Sequence, residues 1–193
     1  MAQLSFFSAE ARDARLTDLA GLLCGPGQVV RFGASGTARL SIVLADPTRV
    51  PALRAEATGR GVVTELAESD SGATVLRTAF RGDLVELAGQ WCRGAVKAVP
   101  EGFRLDGALL RMWVLAAGVP DRRSGYLLGL DPHAPQTHVP LAEAVVALGM
   151  PVIRLGARGG GPALRISGQR SRRRLAELVG ETPPDALSGF WPG

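Results

Sequence analysis

The chain repeats itself. Leu84-Val85-Glu86-Leu87-Ala88-Gly89 recurs as Leu175-Ala176-Glu177-Leu178-Val179-Gly180, 91 residues later. Val75-Leu76-Arg77 recurs as Ala163-Leu164-Arg165 after 88 residues, and Gly59 as Gly149 after 90. The helix-like run that opens at Leu19 returns at Leu110, again after 91. Matches in one order and at nearly one spacing point to a duplicated supersecondary unit. With 193 residues the chain can pack two such half-domains around one core.

Hydrophobic periodicity gives both copies the same order of elements. The first reads as helix 11–24, strands 28–33 and 38–44, helix 48–58, strands 61–68 and 73–80, and helix 82–95. The second reads as helix 105–117, strands 119–123 and 125–131, helix 138–149, strands 151–157 and 162–167, and helix 170–180. Ser71-Gly72 reads as a hairpin turn, 158–162 as a hairpin loop, and Gly180 as a helix C-cap. The expected fold is α+β: two pseudo-symmetric α-β-β-α-β-β-α repeats, 1–96 and 105–193, joined by a linker at 97–104. Each repeat covers one face of an antiparallel sheet with helices and leaves the other face open.

Composition narrows the function classes. Hydrophobic residues make up 46% and charged residues 21%, which suits a filled core rather than disorder. The start of the chain lacks a basic, apolar secretory signal, and the longest apolar run, 108–120, is too short to span a membrane and contains Arg111. These features read as a soluble, cytoplasmic monomer. Cys24 and Cys92 read as small buried hydrophobes, and His133 and His138 have no third ligand at zinc spacing. No metal or cofactor is expected. Residues 1–96 are neutral, with ten Arg against ten acids, whereas 97–193 carry twelve basic and eight acidic residues. The whole excess of +4 therefore lies in the second half, and 21 of the 22 basic residues are Arg, Lys97 being the exception.

The repeated order resembles the LAGLIDADG homing-endonuclease fold. Its signature aligns with Leu19-Ala20-Gly21-Leu22-Leu23-Cys24-Gly25-Pro26-Gly27 and with Leu110-Arg111-Met112-Trp113-Val114-Leu115-Ala116-Ala117-Gly118. The second copy is similar to the L-R-x-x-F-L-A-x-G of WhiA-type sporulation regulators. Tyr126-Leu127, Leu141-Ala142 with Leu148-Gly149-Met150-Pro151, and 175–180 match that family in order. The resemblance implies that the two signature helices pack through Ala20, Gly21, Ala116 and Ala117, and that the sheets form a saddle over duplex DNA. It also implies an acid at the eighth signature position, where paired acids hold divalent metal at the scissile phosphates. Pro26 and Ala117 stand at those positions and ligate nothing. Asp18, Asp106 and Asp121 lie nearby but not at the signature's end. WhiA-type regulators add a helix-turn-helix domain, and this sequence stops at Trp191-Pro192-Gly193.

The expected function is thus a non-catalytic, homing-endonuclease-derived protein that binds duplex DNA as a regulator without its own helix-turn-helix. Alternation nominates Arg31, Arg39, Arg77, Arg122, Arg123, Arg154, Arg158 and Arg165 for the open sheet faces, where the guanidinium fork suits phosphates and guanine edges. The alternative is a protein-interaction module, with a partner supplying the helix-turn-helix; an apolar saddle favours it. A third reading is a nuclease using the displaced acids Asp18 and Asp121. Arg170, Arg172, Arg173 and Arg174 read as a solvated first helical turn, and Met112 and Trp113 as core or seam.

Overall fold

A computed structural model describes residues 8–33, 36–122, 124–156, 161–186 and 188–192. The first seven-element unit comprises α1 (Ala20–Cys24), β1 (Gln28–Phe32), β2 (Thr37–Leu44), α2 (Val50–Gly59), β3 (Thr64–Glu68), β4 (Thr74–Thr78) and α3 (Val85–Trp91). A two-stranded hairpin, β5 (Cys92–Arg93) with β6 (Val96–Lys97), follows. The second unit comprises α4 (Gly107–Ala117), β7 (Gly118–Asp121), β8 (Gly125–Gly129), α5 (His138–Ala147), β9 (Val152–Leu155), β10 (Ala163–Ser167) and α6 (Gln169–Val179). Both four-stranded sheets are antiparallel and share one topology, β1-β2-β4-β3 and β7-β8-β10-β9. The duplication is thus realised strand for strand.

Two expected helices are shorter than their periodicity. Residues 12–15 form no helix, and helical backbone begins with a 3-10 turn at Leu16–Leu19. Asp18 sets that start. Its carboxylate accepts from the Arg15 N–H at 2.9 Å and is held by Arg12 and Arg60. The helix expected over 82–95 stops at Trp91, because the turn at Gly94, with φ +65°, folds the next residues into the β5–β6 hairpin. Gly180 ends α6 with φ +72°, as a C-cap.

The core lies between the helices and the inner sheet faces. Leu19, Leu22, Leu23, Leu40, Ile42, Leu53 and Leu76 pack in the first unit, and Leu110, Trp113, Leu115, Tyr126, Leu128, Leu164 and Leu178 in the second. The units meet where α1 packs on α4. A Cβ on Gly21 would stand 2.0 Å from the Leu109 carbonyl oxygen and 2.7 Å from the Met112 Cβ. One turn on, a Cβ on Gly25 would meet the Trp113 ring at 3.3 Å and the Ala117 Cβ at 3.4 Å. The small residues of the first signature therefore form a seam on which two backbones nearly touch. Trp113 completes it by donating its indole N–H to the Gly129 carbonyl at 2.8 Å.

A chain of alternating charges closes the N-terminal end of the seam. Arg12 bridges Asp18, at 2.6 Å, and Asp106, at 2.9 Å, while Arg60 reaches Asp18 at 3.2 Å and also binds Glu56. Arg111 then binds Glu56 at 2.7 Å and donates to the Val179 and Glu181 carbonyls. Asp106 also N-caps α4 through the Leu109 N–H. Burial alone would raise the Glu56 pKa. The hydrogen bond from Arg111, its charge and then Arg60 outweigh that and hold the carboxyl below its ordinary 4.5.

Two predictions follow the seam. Gly21→Ala should cost about 2–3 kcal/mol in urea unfolding, because its methyl meets backbone rather than a mobile side chain. Glu56→Gln should cost about 2 kcal/mol at neutral pH. A depressed carboxylate stabilises the fold fully above its unfolded value of 4.5 and loses that contribution as pH falls through the lower folded value. The stability gap between wild type and Glu56→Gln should therefore narrow on acidification.

Candidate nucleic-acid interface

Register assigns each strand residue to a face, since directly paired residues point the same way. In the first sheet Val29, Leu40, Ile42 and Leu76 are buried under the helices. The open face carries Val30 paired with Arg39, Phe32 paired with Thr37, and the row Gln28–Ser41–Arg77–Glu65. Phe80 joins it, its ring centroid 5.1 Å from that of Phe32, and Arg39 stacks over Phe80 at 4.5 Å. In the second sheet Tyr126, Leu128, Leu164 and Ile166 are buried, and Val119–Leu127–Arg165–Ile153 forms a row across the open face.

The eight nominated arginines are divided by this geometry. Arg39, Arg77 and Arg165 share the open faces. Arg77 is paired to Glu65 at 2.8 Å and Arg165 to Asp121 at 2.7 Å, so both charges are locally neutralised. Arg122 is exposed at the β7–β8 turn. Arg31 departs from the expectation: it pairs with buried Ala38 and donates to the Val85 carbonyl at the start of α3, on the helix side. Arg154 also departs, pairing with buried Leu164 and lining a cleft with Val139, Glu143 and Val146 of α5. Their neighbours Val30, Phe32 and Ile153 take the open face instead, Phe32 at 60% and Ile153 at 58% exposure. Alternation fixes which residues share a face but not which face meets the core. Arg123 and Arg158 lie outside the described residues.

The saddle is consequently more apolar than its arginine count implies. Val30, Phe32, Val43, Phe80, Val119 and Ile153 are exposed on it. Among the described residues, Arg39 is the strand cation there without an ion-pair partner.

The C-terminal ends of the signature helices are capped by buried cations. The Lys97 ammonium donates to the Gly25 and Gly27 carbonyls, both at 2.7 Å, and to Asp131 Oδ2 at 3.0 Å. It thus straddles Pro26. Gln28 donates to the same Asp131 oxygen, and the His133 N–H to the other. The Arg49 guanidinium donates to the Val114, Leu115 and Gly118 carbonyls at 3.2, 3.0 and 2.6 Å, straddling Ala117, and stacks 4.2 Å from the Phe190 ring. Burial pushes Lys97 below the ordinary lysine value, against the opposing pull of Asp131. Burial likewise lowers Arg49. Both arrangements suit the negative end of a helix dipole. The lone lysine and the repeated Asp-Pro steps, Asp46-Pro47 and Asp131-Pro132, were the available signals in the sequence.

The displaced acids are not assembled into a site. Asp18 and Asp106 sit at the opposite, N-terminal end of the seam, and Asp121 is paired with Arg165 on the second sheet. No cluster of three or more His, Cys, Asp or Glu side chains able to hold a metal occurs among the described residues. Among them, too, no helix is long and apolar enough to cross a membrane.

No protein-family model matches the chain, and no curated protein does. Solved structures do. The homing endonuclease I-WcaI bound to its DNA recognition sequence superposes with a TM-score of 0.61 and 11% identity, over 98% of this chain and 86% of that one. Full-length WhiA from Thermatoga maritima gives 0.57 and 13% over 88% of this chain and 56% of its own. The N-terminal LAGLIDADG domain of WhiA gives 0.55 and 11% over 94% and 95%. The fold is that of LAGLIDADG proteins.

Arg49→Met keeps the bulk and removes the cap from three carbonyls. It should lower stability by about 2–3 kcal/mol in chemical unfolding.

Proposed function

We propose that this chain is a non-cleaving LAGLIDADG-fold scaffold that binds duplex DNA in a regulatory role, with 1–96 and 105–193 as its two repeats. The observation that carries the non-cleaving half is the pair of signature ends. Metal-assisted phosphodiester cleavage needs oxygen ligands to hold the ion beside the scissile phosphate. Here those ends present Pro26 and Ala117, and their carbonyls are engaged by Lys97 and Arg49. The DNA half is supported by the saddle's likeness to I-WcaI, solved on its recognition sequence, and by the basic excess of the second half. Arg122 at a turn and Arg39 on a strand are the cations best placed for phosphates. Apolar strand faces offer few donors to base edges, so the binding should be led by phosphate contacts and shape, with weak sequence preference.

A second reading rests on its own observation, the apolar saddle with Arg77 and Arg165 neutralised. That surface suits a protein partner that buries Val30, Phe32, Val119 and Ile153.

Fluorescence anisotropy on a short duplex at low and moderate salt separates the readings. DNA binding should weaken steeply with salt. Arg39→Ala and Arg122→Ala should weaken it severalfold, and Arg31→Ala and Arg154→Ala should leave it unchanged. Asp121→Asn, which releases Arg165, should strengthen it. Absence of binding even at low salt overturns the DNA reading and leaves the protein partner, and nicking of the duplex with Mg²⁺ overturns the non-cleaving one.

A further inference from the structure

The signature-helix ends also bear on where the chain finds its cations. The LAGLIDADG resemblance implies a divalent ion at these ends. Its fit can be tested on the residues present. Neither Pro26 nor Ala117 has a side-chain oxygen. The oxygens that remain are main-chain carbonyls and Asp131, and these already receive a cationic side chain. A divalent metal does not fit the residues as they stand.

We infer that the chain carries its own cations at these two positions, Lys97 at the end of α1 and Arg49 at the end of α4, and so holds its centre together without metal. The inference deepens the non-cleaving reading and rests on it. Three observations support it. An ammonium has three N–H donors, and Lys97 faces three oxygens, at 2.7, 2.7 and 3.0 Å, one for each. Asp131 is 1% exposed, so its negative charge requires a partner, and Lys97 is the cation that meets it. The two ends are built alike. Asp46 and Asp131 each open a turn by accepting from the N–H two residues on, Thr48 and His133, and each faces the local cation: Arg49 at 3.8 Å, and Lys97. Each helix end thus meets a cation with an aspartate beside it, Arg49 coming from the turn before α2 and Lys97 from the hairpin between the two units.

Removing the Lys97 side chain would leave two carbonyls and a carboxylate around a gap, an oxygen set of the kind that takes hard cations. The test is thermal unfolding of the full chain in EDTA, then in millimolar Ca²⁺, Mg²⁺ or methylammonium. Wild type should show one Tm in all four. Lys97→Ala should unfold lower in EDTA and recover by about 3 °C or more with Ca²⁺ or methylammonium. A wild-type Tm that rises with either metal overturns the inference, because the position would then be open. So does a folded Lys97→Ala that ignores every added cation. If Lys97→Ala does not fold, Lys97→Ala with Asp131→Asn removes cation and anion together; it should fold and stay indifferent to cations, and its failure to fold overturns the pairing. No DNA enters these measurements, so their failure and a failure of DNA binding are told apart.

Discussion

The contact between α1 and α4 at Gly21 governs the molecule. It is a backbone contact, because the space beside Gly21 is filled by the Leu109 carbonyl. Each signature helix runs directly into the first strand of its sheet, α1 through Gly25-Pro26-Gly27 into β1 and α4 through Gly118 into β7. Fixing the two helices at that distance therefore fixes where both sheets begin. Charges then lock the seam at both ends. The alternating series from Asp106 to Arg111 ties its N-terminal end to α2 and to the carbonyls of Val179, which ends α6, and Glu181, just past it. Lys97 and Arg49 hold its C-terminal end.

The difference between the two ends is physical. Acids near helix N-termini and cations near C-termini both favour the dipole. Asp18 and Asp106 obey the first rule, and Lys97 and Arg49 the second. A signature helix that ends in an acid reverses the rule at its C-terminus and needs a cation from outside to be tolerable. With Pro26 and Ala117 in those places there is no acid to neutralise, but the terminal carbonyls remain. Two long basic side chains reaching in from Arg49 and Lys97 meet that remaining need.

Much of this was legible in the residues. The duplication and the order of elements came from spacing, and the small-residue seam through Ala20 and Gly21 from the resemblance that this order carries. What was not legible is equally specific. Arg31 and Arg154 were expected outward because they are charged. Yet the strands are short, Val30 and Phe32 flank the first and Ile153 and Leu155 the second, and parity alone leaves the inward face undetermined. Burial of Val29 and Leu164 decided it. Lys97 and Arg49 escaped notice because Asp131 and the carbonyls they cap lie 34 to 72 residues away in the chain, beyond any local pattern.

The saddle's chemistry divides what its partner can gain from it. Phosphate binding draws on unpaired cations, and Glu65 and Asp121 each remove one from the strand faces. Apolar burial draws on Val30, Phe32, Val119 and Ile153, which a duplex can use only through thymine methyls and sugar edges. On the proposed readings, a duplex would draw on Arg39 and Arg122 and a protein on the apolar side chains between the strands' polar ones. The two modes respond oppositely to salt, since screening weakens the first and leaves hydrophobic burial intact. Arg39 belongs to both: its guanidinium carbon stands over the Phe80 ring, 4.5 Å from the centroid, so its charge borders the apolar patch that its stem extends.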